Sequence, residues 1–188
     1  MNWAKLMPVT LAMVLAAQPA ASQTFGRDDF VAAVRDRDGA KAMEMLRSRG
    51  TLAVNSRDDK GMTGLIVAIA RRDDEWTAFL LNQGADPNLA ARDGETPLIA
   101  AARIGYLGAA ADLIRLRVKV DTANRMGETA LIVAVQQRQT EIVKLLLAAG
   151  ADPDRSDSAA GYSARDYAKR DTRSSQILKL IEAKKPKA

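Results

Sequence analysis

The sequence predicts an all-α solenoid, built from helix-turn-helix units of about 33 residues joined by hairpin-like loops. Three observations carry this. Within residues 122–154, Gly127, Thr129, Leu131 and Ala134 fall on Gly94, Thr96, Leu98 and Ala101 after a shift of 33 positions. A second shift of 33 lands on Gly61, Thr63, Leu65 and Ala68, and Gly161 and Ser163 repeat the opening pair 34 residues further on. Each copy also opens with helix-start chemistry: Thr96 is placed as an N-cap, and Pro97 takes the first helical position, where its missing N–H costs nothing. Finally, the segment LLNQGADPN (80–88) returns as LLAAGADPD (146–154), a helix end followed by turn residues.

Within one unit, apolar residues follow the capped start at helical spacing for about two turns, until a stop such as Gly105. In the 122–154 copy a second helix begins near Thr140, buries Ile142, Val143, Leu145, Leu146 and Leu147, and ends at Gly150. The stretch ADPDRSDSAAG then carries the chain onward as a loop. This unit resembles the ankyrin repeat. The pattern G-x-T-P-L-H-x-A-A…V-V-K-L-L-L-x-x-G-A-D-x-N is met at Gly94–Ala102 and Glu141–Asp154. The resemblance implies an ankyrin-repeat solenoid over residues 23–183.

The chain opens with Lys5, an apolar run over residues 6–17 and the small residues QPAASQ. Twelve apolar residues are too few to span a bilayer, so residues 1–22 read as a signal peptide cleaved after Ser22, with an N-terminal packed helix as the alternative. The expected destination is the periplasm. Removal of that leader leaves 27 basic and 23 acidic side chains, too mild a balance to argue for nucleic acid.

Residues 27–55 form a charged, atypical first unit suited to an N-terminal cap. Asp28 or Asp29 is placed to cap a helix holding Phe30, Ala33 and Val34; Asp38 and Gly39 turn the chain; Met43, Leu46 and Gly50 mimic a second helix. In unit two (56–88), Gly64 replaces Pro and is expected to loosen the helix start, while Trp76 and Phe79 sit on the core stripe. In unit three (89–121), Asp112 falls where neighbouring units have Phe79 and Leu145, and reads as solvated. Arg117 replaces the glycine found at 84 and 150, and the 115–121 connection is expected either to bend or to extend as a strand-like loop. Unit four spans 122–154. Unit five (155–183) carries one extra residue before Gly161, a cap at Ser163 and a last amphipathic helix with Ile177, Leu178 and Ile181. Residues 184–188 are expected to be a disordered basic tail.

The chain contains no Cys and no His, which removes thiol nucleophiles, disulfides, imidazole bases and the commonest zinc ligands. Neighbouring carboxylates such as Asp58 and Asp59 diverge along the chain, and the recurring Gly-Ala-Asp-Pro is turn chemistry. No catalytic residue, metal site or cofactor is expected. The resemblance instead implies a protein-binding surface on loop tips and first helices: Lys60, Met62, Arg71, Arg92, Glu95, Arg103, Ile104, Arg125, Met126, Gln136, Gln137, Tyr162 and Arg170. Arg, Met and Tyr are residue types enriched at protein interfaces. The expected function is a non-catalytic, exported protein-protein interaction module, a monomer whose partner is another protein and whose membrane contact is at most peripheral. Two alternatives stand beside it: an accessory or inhibitory partner of one exported enzyme, and an envelope structural protein held peripherally at a membrane or wall surface.

Overall fold

The computed structural model describes residue 26 and residues 29–184. The expected leader over residues 1–22, the capping candidate Asp28 and tail residues 185–188 lie outside the described residues. Helices α1 (Asp29–Asp36), α4 (Gly64–Ala70), α6 (Pro97–Ile104), α8 (Ala130–Gln136) and α10 (Ala164–Arg170) form an inner row in which each packs on the next. Helices α2 (Gly39–Arg49), α5 (Asp74–Asn82), α7 (Leu107–Arg115), α9 (Thr140–Ala148) and α11 (Ser175–Glu182) form the outer row, and a short α3 (Thr51–Val54) follows α2. Among the described residues the regular structure is helical, with isolated single bridges in the loops.

The inner helices start alike because the same short-range bond starts them. The side-chain oxygens of Thr63, Thr96, Thr129 and Ser163 accept from the backbone N–H of Ile66, Ile99, Ile132 and Asp166 at 3.2, 3.2, 3.3 and 3.2 Å. At Ser163 the Asp166 carboxylate reaches back to the cap's own N–H, completing a capping box. Helices of seven or eight residues are marginal alone, so burial must hold them. In α8 every residue from Ala130 to Val135 is buried, whereas α9 buries only the stripe Ile142, Val143 and Leu146. The inner row is thus sandwiched between units, and the outer row keeps a wet face.

Between units the chain makes hairpin-like loops, three of them closed by one antiparallel bridge, Arg57 with Thr63, Ala123 with Thr129 and Ser156 with Ser163, and the loop before α6 by the Ala91 N–H to the Glu95 carbonyl at 2.9 Å. The extra residue of unit five is taken up inside the Ser156–Ser163 loop. Successive tips stack backbone on backbone, through Arg125 N–H to the Asp93 carbonyl at 2.9 Å and Ser158 N–H to the Met126 carbonyl at 2.8 Å. This stacking explains the glycines at 61, 94 and 127, each pressed against the following tip. Gly61 and Gly94 have φ of 77° and 83°. A Cβ on Gly61 would also stand 2.4 Å from the Arg92 Cβ, and one on Gly94 3.0 Å from the Arg125 backbone nitrogen.

Several sequence expectations change in detail. Gly64 does not loosen its helix; a Cβ there would meet Val34 at 3.1 Å and Phe30 at 3.4 Å, so glycine admits α1 close against α4. The 115–121 connection neither bends the unit away nor forms a strand. Arg117 takes the left-handed conformation (φ 58°) that Gly84 and Gly150 also occupy, and Val118 is buried like Ala85 and Ala151. Lys184 is not part of a loose tail: its Nζ donates to the carbonyls of Leu147 and Ala151 at 2.9 and 2.7 Å, closing the end of α9. In unit one Ala42 and Met45, rather than Met43 or Leu46, are the fully buried residues of α2. Asp112 pairs with Arg115 one turn on, at 2.8 Å, with its side chain 41% exposed. Trp76 is buried and meets Phe79 edge-on at 5.4 Å between ring centroids.

Candidate protein-interaction surface

Asp58 shows how a tip is built. Its carboxylate is almost fully buried, yet accepts from the Met62 N–H at 2.8 Å and from Arg35 at 2.7 Å. A buried charge is tolerable when so paired. Asn124 plays the same part in unit four, accepting from Met126 and Glu128 N–H groups at 2.9 and 3.0 Å. Asp157 does so in unit five, accepting from Ala160 and Gly161 at 2.7 and 3.0 Å. Burial pushes the Asp157 carboxyl upward, but bonds from the Tyr167 hydroxyl and these amides outweigh it and hold it below the usual carboxylate range.

The thirteen sequence-predicted residues sort into groups with different work to do. Met62 and Ile104 are half-buried and packed against the core. Arg71 donates to the Arg35 carbonyl. Arg103 lies between two carboxylates, 3.2 Å from Glu95 and 3.7 Å from Glu128, so its charge is balanced within the array. The Arg170 guanidinium stands over the Tyr162 ring at 4.4 Å, and that ring meets Tyr167 edge-on at 5.6 Å. A cation held over an aromatic face is attracted by the ring quadrupole. Gln136 is half-buried beside Tyr167, and Gln137 is exposed where α8 ends. Lys60, Arg92, Arg125 and Met126 are exposed at the tips, and among the described residues nothing pairs with the three cationic side chains.

Sequence reasoning passed over a second row of arginines. Arg37, Arg72 and Arg138 occupy the tight turn between the two helices of their units, each left-handed with φ of 57°, 54° and 55°. Gly105 (φ 69°) holds the same place in unit three, 33 residues from Arg72 and from Arg138. Left-handed backbone costs a non-glycine residue about 1–2 kcal/mol. Each arginine reaches into the next unit: Arg37 to Asp73 at 3.1 Å, Arg72 to the Ile104 carbonyl, Arg138 to Asp171 at 2.6 Å. At the Gly105 junction, Gln139 lies over the turn instead, 2.5 Å from where a Cβ would be. The Arg138 bond, ahead of smaller bonds from Arg173 and Ser174, brings the Asp171 carboxyl down to about 2. The signal lay in the register: Arg72 and Arg138 fall on the Gly105 position of the repeat.

Among the described residues no group of three or more His, Cys, Asp or Glu side chains is arranged to hold a metal ion. No helix there is long and apolar enough to cross a membrane. The arrangement offers stacked tips and a helix face for contact with another macromolecule.

The comparisons agree with the geometry. Over 138 residues, 66% of this chain, the sequence is 32% identical to ankyrin repeat domain-containing protein 63 of Homo sapiens, of which the match covers 36%. It is 32% identical over 114 residues to an ankyrin repeat-containing protein of Treponema pallidum, covering 60% of this chain and 38% of that one. Neurogenic locus notch homolog protein 2 of Homo sapiens is 32% identical over 120 residues, 63% of this chain but 5% of its own length. The chain therefore spans well under half the length of these relatives. A family model of ankyrin repeats in three copies matches residues 30–124 and again 65–157, and the chain belongs to the ankyrin-repeat family.

Proposed function

We propose that this chain is an exported, non-catalytic protein-interaction module, working in the periplasm and gripping another protein with its stacked tips and the adjoining helix face. Ankyrin repeats are protein-protein interaction units, and the repeat array is the coarse basis of the reading. The observation that carries it further is the register of the tips. Backbone stacking holds Arg92, Arg125 and Met126 on rigid loops, with Lys60 next to the Gly61 that abuts Arg92, and with Arg103 and the Tyr162–Arg170 pair on the helices beside them. Rigid loops lose little entropy on binding, which leaves more of the contact energy as affinity. The apolar run over residues 6–17 behind Lys5 supports export.

The test has two parts. N-terminal sequencing of the protein from an envelope fraction should begin near Gln23; an intact Met1 on cytoplasmic protein sinks the export claim. Crosslinking in that fraction should then recover one stoichiometric protein partner, released when Tyr162→Ala and Arg103→Ala are combined with reversal of the tip arginines. Recovery that is unchanged in this variant rules out the surface.

A further inference from the structure

One groove runs behind the hairpin tips from unit one to unit four. It encloses about 940 Å³ and is lined by Arg49, Arg57, Arg92 and Arg125 with Asp58 and Asp59. Its floor and rim are apolar at Met45, Leu52, Ala53 and Ala91, and Leu52 is 80% exposed. The charges do not cancel. Asp58 already holds Arg35, which leaves Asp59 against Arg57, Arg92 and Arg125. Arg57 spends its guanidinium on a neutral carbonyl, Ala90 at 2.7 and 3.2 Å, so its charge remains. Among the described residues no carboxylate pairs with Arg92 or Arg125.

We propose that this groove binds an extended acidic peptide segment of the partner protein, with carboxylates about three residues apart. The proposal rests on the interaction-module reading and names the chemistry of the partner. Arg92 and Arg125 are one repeat apart, and the tip of each unit stacks directly on the next. Packed helices stand roughly 8–10 Å apart. An extended chain rises about 3.3 Å per residue, so three residues span one step of the array. A bidentate guanidinium matches a carboxylate at each step. Apolar side chains between the acids have Leu52, Met45, Ala53 and Ala91 to lie against. That alternation favours a peptide over an unbroken row of phosphates, which Asp59 repels. Residues 1–25 contain Lys5 and no acid, and residues 185–188 contain Lys185, Lys187 and no acid, so neither segment supplies a row of carboxylates.

Fluorescence anisotropy on the full chain tests this, with a labelled peptide carrying aspartate at every third position and leucine between. Arg92→Glu with Arg125→Glu should weaken binding at least about 30-fold, equivalent to roughly 2 kcal/mol. Lys169→Glu with Lys179→Glu makes the same charge change on exposed lysines of unit five and should leave binding within about twofold. A peptide of identical composition with its aspartates contiguous should bind distinctly more weakly. Circular dichroism of both variants should match the parent, because these side chains lie outside the core. Equal losses in the two variants, or equal binding of the two peptides, overturn the proposal in favour of overall charge. Tighter binding of a single-stranded oligonucleotide or of vesicles with anionic lipid overturns the choice of occupant. If the peptide does not bind while an envelope protein still crosslinks through Tyr162 and Arg170, the groove proposal falls and the interaction module stands.

Discussion

Tyr106 shows what one side chain contributes across a unit boundary. It precedes α7, is 8% exposed, and donates its hydroxyl to Asp74 at the start of α5. Burial first, and then the Asp74 carboxylate, push its pKa up to about 12 from an ordinary 10. A phenol whose folded pKa is raised contributes stability that is whole below the unfolded value and is lost as pH rises through the folded one. The window therefore runs from about pH 10 to about pH 12. Tyr106→Phe should cost about 0.5–1.5 kcal/mol at pH 8, the net worth of one hydrogen bond. Urea melts of the two proteins should converge as pH climbs through that window. A gap that stays constant to pH 12 refutes this account.

At the scale of the element, the loop tips tie sequence to assembly. Gly61 and Gly161 have φ of 77° and 70°, so alanine at either is strained by about 1–2 kcal/mol. They differ in what surrounds them. A Cβ at 61 would stand 2.4 Å from the Arg92 Cβ, while at 161 nothing lies within 4 Å. Gly61→Ala should therefore cost a further 1–3 kcal/mol or so, as overpacking does, and should weaken peptide binding by displacing Arg92. Gly161→Ala should show the strain alone. Equal losses in denaturant melts would mean that the tips do not bear on one another. The turn arginines extend the point. Arg37, Arg72 and Arg138 accept a strained backbone where Gly105 does not, and each offsets the strain with a bond into the next unit.

Across the whole molecule, stability is a chain of nearest-neighbour terms, so the weakest link depends on conditions. Acid should find it in unit five. Asp171 is lowered to about 2 by its bond from Arg138, Asp154 is lowered by Arg165, and Asp166 by Ser163. Carboxyls depressed in the fold contribute stability that is present above the unfolded value, near 3.8, and lost as pH falls through the folded one. Between about pH 4 and pH 2 the helices α10 and α11 should loosen ahead of α4, α6 and α8. Peptide-resolved hydrogen exchange at pH 4.5 and 2.5, corrected for intrinsic rates, reads this directly. Simultaneous loss of protection in every unit counts against it.

The sequence by itself determined the parts whose causes are local and recur. The caps at Thr63, Thr96, Thr129 and Ser163 each join a side chain to an amide three residues on, and the tip glycines answer to their own φ. Such bonds are the same in every copy, so a period of 33 exposes them. It was enough for the family. Which charges remain available was decided only by tertiary structure. Arg35 meets Asp58 over 23 residues of sequence, Arg138 meets Asp171 over 33, and Arg103 reaches Glu128 in the following unit. Periodicity gives each of these arginines the same outward look as Arg92 and Arg125. Whether a carboxylate of the neighbouring unit reaches it depends on how the units stack, and that stacking left Arg92 and Arg125 with their charge unbalanced.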